Sequence, residues 1–233
     1  MNDSVRENEA LARSLNDPAR RAEYAKPFDT YRPGLIARFL GGMMIGVGNC
    51  IYGKEPSYAK CKAIEVMARV PYQSWEMAVY TLLTVLYTNE HRAMQLANTN
   101  AFSRLAQDNE TMHVVVISQI VARDKSGGFI RHTLLPFLIS FKYFVTVYIL
   151  YLLSPRAALE LNYLFESHAY AQYSTLLEQE GEKLRHRPVT SAYLKFYGRD
   201  VTNEYELFEL IRNDELIHRN RSIRELRTYA TTR

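Results

Sequence analysis

The chain has 233 residues, 47% of them apolar, and a formal net charge of +4. That length suits one sizeable domain with a real core, and the apolar content excludes an intrinsically disordered chain. The charge excess is too modest to call for nucleic acid, and two cysteines, Cys50 and Cys61, exclude a disulfide scaffold and make no CxxC or zinc-ribbon spacing.

The first thirty residues mix acids and bases without an apolar run, so they resemble neither a secretory signal nor a transit peptide. They read as a polar arm, 1–30, ahead of a domain at 31–228 and a short tail at 229–233. Breaks are expected at Pro33-Gly34, Gly53 to Pro56, Gly127-Gly128, Ser154-Pro155 and Gly198. Between them the sequence predicts six helices, at about 33–51, 57–88, 91–124, 130–153, 156–184 and 200–227, with Pro71 a candidate kink in the second. No run alternates as a half-buried strand would, so the class is all-α.

Two of these helices are unusually apolar: "GLIARFLGGMMIGVGNCIYG", interrupted by Arg38, and "LLPFLISFKYFVTVYILYLL", interrupted by Lys142. Length alone suggests membrane spans. A central charge is expensive in a bilayer, and the mean hydropathy of the chain is −0.26. Two other readings stay open: helices lying in one leaflet with the charges reaching headgroups, or core helices of a soluble bundle. Seventeen Tyr against one Trp suit a surface partly apolar and partly wet. The basic end, "RNRSIRELRTYATTR", reads as a solvated helix face or as a contact for anionic headgroups.

The chemistry lies in two spaced pairs. "NETMHVVVISQIV" carries Glu110 and His113, and "RNDELIHRN" carries Glu215 and His218. Residues three apart share a helix face, with Cβ atoms about 5–6 Å apart. On a helix as apolar as the first, a buried carboxylate needs a compensating charge, which a metal supplies. Bundles that hold two metal ions use two Glu-x-x-His helices plus one Glu from each of two others. Glu65, in "AKCKAIEVMARVPY", and Glu166, in "LNYLFESHAYAQY", fill those places. Four carboxylates would balance two Fe(II) ions. His168 falls nearly opposite Glu166 on the helix, which favours a hydrogen-bonding neighbour over a ligand. Glu76, Glu160 and Glu178 read as surface residues or as neighbours of the ligands.

These motifs resemble the alternative oxidase family of di-iron quinol oxidases, over most of 33–225. "NETMH" is similar to the family's NERMH box, with Thr111 where Arg is usual. "RNDELIH" is similar to its RADE-x-x-H box. "ARVPY" and "ESHAYAQY" resemble the plastid terminal oxidase branch, whereas the mitochondrial branch has LEEEA in place of "FESHA". The resemblance implies a ferritin-like four-helix bundle holding two Fe ions, with two apolar helices as an interfacial anchor in membrane lipid. It implies ubiquinol or plastoquinol oxidation with reduction of O₂ to water, cyanide-resistant and without proton pumping, in a homodimer. It implies that Tyr173, two turns beyond Glu166, sits close to the irons, and that Asn109 and Asp214 orient the His ligands. It implies a quinone pocket of Arg38, Lys60 (Lys for the family's Arg), Ile64, Ala169 and Gln172. The interval from Glu166 to Glu215 lacks the insertion of plastid enzymes, which points to a compact bacterial member in a cytoplasmic or thylakoid membrane. Two rival functions are a quinone-ring hydroxylase and a non-enzymatic iron-binding bundle.

Overall fold

A computed structural model describes residues 3–124 and 128–230. Gly127 of the expected break, and 231–233 of the expected tail, lie outside the described residues. Among the described residues there is no strand, only an isolated bridge between Pro188 and Asn203. The helices are α1 (Asp3–Ser14), α2 (Pro18–Asp29), α3 (Leu35–Tyr52), α4 (Tyr58–Leu86), α5 (Glu90–Arg123), α6 (Leu135–Leu153), α7 (Pro155–Arg185), α8 (Ala192–Tyr197) and α9 (Glu204–Ala230). A π-helical turn, Ile130–Leu134, leads into α6.

The starts follow capping chemistry, in which a short polar side chain accepts from the first free amides. Ser57 accepts from the Lys60 amide at the start of α4, Asn89 from Arg92 at α5, and Ser154 from Ala157 at α7. Gly53 and Gly198, both at φ +87°, close α3 and α8 in a backbone conformation that a side chain would strain. Helix α4 runs on through Pro71.

Helices α4, α5, α7 and α9 form a bundle, with α4 along α5 and α7 along α9. One core cluster joins Tyr72, Trp75, Phe102, Leu159 and Phe165; a second joins Met112, Val116, Ile117, Tyr173, Leu207 and Phe208. Each such side chain contributes about 1.5–3 kcal/mol on burial. The four segments that carry the candidate ligands therefore lie on four helices whose apolar faces meet, and their acids are buried.

Helices α3 and α6 pack on α7 and α4 but stay largely uncovered: 11% and 17% of their apolar windows is buried. Leu35, Phe39, Met43 and Val47 on α3, and Phe137, Phe141, Val145 and Ile149 on α6, all stand exposed. This excludes the reading of both as core helices of a soluble bundle. Arg38 and Lys142 are exposed too.

The polar N-terminal stretch forms two helices packed on α9. Ala12 and Leu15 meet Leu210, Leu216 and Ile217; Phe28 meets Tyr163 and Ile223. Side-chain amides of α9 complete the seam, with Asn213 Nδ2 donating to the Ala12 carbonyl and Asn220 Nδ2 to the Tyr24 carbonyl, each at 2.8 Å. The basic run of α9 is correspondingly less solvated than its composition suggests. Arg219 is buried and reaches Asp29 at 3.0 Å, while Arg224 and Arg227 lie over the Phe28 ring.

Candidate metal centre

Glu65 on α4, Glu110 and His113 on α5, Glu166 on α7, and Glu215 and His218 on α9 converge at the middle of the bundle, all buried. Their donor atoms form two groups, Glu65–Glu110–His113–Glu215 and Glu110–Glu166–Glu215–His218, each with atoms within 4.8 Å of one another. Glu110 and Glu215 belong to both. The arrangement can hold two cations, with those two carboxylates between them and one Glu and one His at either end.

The imidazoles face inward. His113 Nδ1 lies 3.0 Å from Glu65 Oε2 and 3.4 Å from both Glu110 Oε2 and Glu215 Oε1. His218 Nδ1 lies 2.7 Å from Glu110 Oε1 but outside hydrogen-bond geometry. Both oxygens of Glu110 and of Glu215, and Oε2 of Glu166, are buried without a hydrogen-bond donor. Groups that point at a common centre yet not at each other's protons are what a cation site requires. Burial and the neighbouring Glu110 charge push Glu65 up to about 8, and the same causes raise Glu166 and Glu215. Against burial, the two imidazoles hold Glu110 low. The mixed carboxylate and imidazole donor set suits iron, and two Fe(II) would neutralise the four carboxylates.

A shell of hydrogen bonds fixes these donors. His113 Nε2 lies 3.0 Å from Asp214 Oδ2, and Asn109 Nδ2 donates to the same oxygen at 3.2 Å. Asp214 accepts from Nε2–H, which leaves Nδ1 facing Glu65, Glu110 and Glu215 as the ring nitrogen whose proton a bound cation would replace. Tyr173 is fully buried and donates its phenol to Glu65 Oε1; its ring stacks on Phe208 at 5.9 Å. Tyr72 donates to Glu166 Oε1 at 2.6 Å, and Asn162 Nδ2 reaches the same oxygen at 3.1 Å.

Beside the cluster, between α3, α4, α6 and α7, lies an apolar cavity of about 190 Å³. Met44, Ile64, Met67 and Phe165 line it, with Lys60 and His168 as its charged and titratable groups. Two of the lining residues, Ile64 and Phe165, directly precede Glu65 and Glu166 in the chain, although none of the six donors is itself in the lining. Lys60 Nζ donates to Asn49 Oδ1 at 2.9 Å and to the Lys54 carbonyl at 2.6 Å. Burial, together with the Lys60 charge, pushes His168 down to about 4. His168 belongs to neither donor group. Of the residues expected in a quinone pocket, Lys60 and Ile64 line this cavity. Arg38 is exposed on α3, Ala169 is packed in the core, and Gln172 is half-buried; none of the three is in the lining.

Four contributors escape the sequence reading. Tyr72 was detectable, because it follows Glu65 by seven residues, as Tyr173 follows Glu166. Asn162 stands one helical turn before Glu166. Arg199, which meets Asp214 from outside the bundle, and Glu9, which pairs with Arg199, leave no local pattern. Of the other acids, Glu160 is a buried structural residue: it accepts from Tyr31 at 2.6 Å and from the Gly34 amide at 2.9 Å.

The sequence model of the alternative oxidase family matches residues 35–225, leaving α1 and α2 outside the match. A relative, Ubiquinol oxidase 4, chloroplastic/chromoplastic, of Arabidopsis thaliana, is 26% identical over 227 residues, covering 88% of this chain and 62% of that protein. The chain thus spans less than two thirds of the length of that relative. No solved structure matches the chain.

Proposed function

Because the chain belongs to the alternative oxidase family, we propose that it is a membrane-bound di-iron quinol oxidase that turns two quinols and one O₂ into two quinones and two waters. The single observation that carries this reading is the convergence of six buried donors into two groups sharing Glu110 and Glu215. Glu65, Glu110, His113, Glu166, Glu215 and His218 would hold two irons, which would supply the redox chemistry that passes electrons from the two quinols to O₂. Asn109 and Asp214 orient His113. Tyr173 is the catalytic phenol, because its hydroxyl donates to Glu65, one of the proposed ligands, and can give or take a proton there.

The apolar cavity receives the quinol ring. Its apolar walls exclude water, and neutral His168 offers a lone pair to a quinol hydroxyl. Lys60 and Ile64 line this site, and the other residues implied for a quinone pocket, Arg38, Ala169 and Gln172, stand outside its lining. The substrate is ubiquinol or plastoquinol, and the turnover is cyanide-resistant and pumps no protons.

Exposed apolar residues on α3 and α6 support an anchor in one leaflet of membrane lipid, with the cavity between the anchor helices and the irons. The membrane is the bacterial cytoplasmic or thylakoid membrane. Met77, Tyr80, Val85 and Met94, exposed on α4 and α5, support a homodimer. The test is oxygen uptake by the purified, iron-loaded protein with ubiquinol and plastoquinol analogues in the presence of cyanide. Uptake at two quinols per O₂ is expected; hydroxylated quinone, or no uptake, overturns the proposal.

A further inference from the structure

Asp214, the carboxylate that orients His113, is held from outside the bundle by the N-terminal helix. Its Oδ2 accepts from His113 Nε2 at 3.0 Å, Asn109 Nδ2 at 3.2 Å and Arg199 Nη1 at 2.6 Å. Its Oδ1 faces Asn8 Nδ2 of α1 at 3.4 Å. The Arg199 guanidinium is completely buried, and its other edge grips Glu9 of α1, with Nε at 2.8 Å and Nη2 at 2.7 Å from Oε2. A buried guanidinium persists only where acids pair it, and here one acid is Asp214 and the other is Glu9.

Glu9 is itself clamped. Arg13, one turn on, reaches Glu9 Oε1 at 2.9 Å and the Asp200 carbonyl at 2.9 Å, beside Arg199 in the chain. Ala12 and Leu15 seat the same helix on Leu210, Leu216 and Ile217 of α9. The chain of contacts from Glu9 through Arg199 and Asp214 to His113 is therefore rigid at both ends.

We infer that α1 is a working part of the metal centre: Asn8 and Glu9, acting through Arg199 and Asp214, set the orientation of the His113 imidazole and so how firmly the centre holds its metal. This rests on the proposed di-iron reading. Asn8, Glu9 and Arg199 are positioning residues, since none touches the six donors. Two physical consequences follow. Arg199 fixes where Asp214 stands, so His113 cannot swing its Nδ1 away from Glu65 and Glu215. Glu9 holds the far edge of the Arg199 guanidinium, so Arg199 keeps its place against Asp214. Partners of this kind typically change metal affinity 10–100-fold when removed.

The experiment compares iron-loaded wild type with Glu9→Gln, Arg199→Lys and Phe28→Ala. It follows iron release to a ferrous chelator, thermal melting, and the split between kcat and the quinol KM. Phe28 packs α2 against Tyr163 and Ile223, away from Asp214, and serves as the purely structural control. Arg199→Lys is expected to release iron at least about tenfold faster. Glu9→Gln moves the same way by a smaller factor, and in both kcat falls while the quinol KM holds. Phe28→Ala lowers the melting temperature and leaves release unchanged. Unchanged release in both Glu9→Gln and Arg199→Lys overturns the inference. So does release that simply tracks melting temperature across all three variants. Should Arg199→Lys fail to fold, Glu9→Gln decides alone. A wild-type chain that takes up no iron refutes the di-iron reading and this inference with it; an iron-tight wild type with indifferent variants refutes only the inference.

Discussion

The phenol of Tyr173, on α7, donates across the bundle to Glu65 on α4. Tyr72, on α4, returns the contact to Glu166 on α7 at 2.6 Å. Each tyrosine lies seven residues beyond the glutamate of its own helix and serves the glutamate of the other. The two helices are thus cross-tied at the level of the buried acids, and Glu65 and Glu166 each accept a hydrogen bond from a phenol.

Tyr72→Phe should lower stability by about 0.5–1.5 kcal/mol, because the buried Glu166 Oε1 loses one of its two donors and keeps Asn162. Urea unfolding of the metal-free protein measures this, and an unshifted midpoint would count against the cross-tie. Tyr173→Phe should keep its iron and lose most of its turnover. Full oxygen uptake in that variant would remove Tyr173 from the mechanism.

Removing a ligand is harsher. Glu110→Ala or Glu215→Ala takes away a carboxylate that belongs to both donor groups. Oxygen uptake should vanish while the chain stays folded and membrane-bound, since the apolar clusters around the site are untouched. Near-normal uptake in either variant would sink the assignment of these residues as ligands.

Iron uptake should depend on pH in a set direction. Burial and the Glu110 charge raise Glu65 from 4.5 to about 8 in the metal-free protein. Below that pH the carboxyl holds a proton that an incoming ion must displace, so Fe(II) affinity rises from about pH 6 to 8. The same raised pKa stabilises the metal-free fold at low pH, fully below about 4.5, and that contribution is lost as pH rises through 8. Titration calorimetry in buffers of different ionisation enthalpy reads the protons released. An affinity that falls with pH would contradict this account of the site.

Much of this architecture is legible in the sequence, and the reasons differ by residue. The six long helices announce themselves through apolar periodicity between Gly and Pro breaks, and Glu110–His113 and Glu215–His218 through spacing on apolar faces. Helices α1 and α2 do not, because they are polar and meet α9 through amides such as Asn213 and Asn220 as much as through apolar side chains. Arg199 lies just past the left-handed Gly198 that ends α8, and its partner Glu9 is 190 positions away. No local pattern encodes such a pair. The cavity beside the ligands depends on how α3 and α6 lean on α4 and α7, which spacing within one helix does not specify.

Membrane attachment should be one-sided. In the proposed attachment, the exposed apolar faces of α3 and α6 enter one leaflet, with Lys142 reaching headgroups or water. A span would hold Lys142 near the bilayer centre at a cost of about 2.5–3.5 kcal/mol or more. In a Cys50→Ser background, single cysteines at Gly128 and Ser154 mark the two ends of the second apolar segment. An impermeant thiol reagent should label both from the same side of sealed vesicles. Labelling of only one from each side would mean that the segment crosses.

The most direct test of the whole account is the metal itself. Elemental analysis of the chain reconstituted with Fe(II) under anaerobic conditions should give two irons per chain, falling sharply in Glu110→Ala and Glu215→Ala. One zinc per chain with no iron, or an iron content indifferent to those two substitutions, would contradict it.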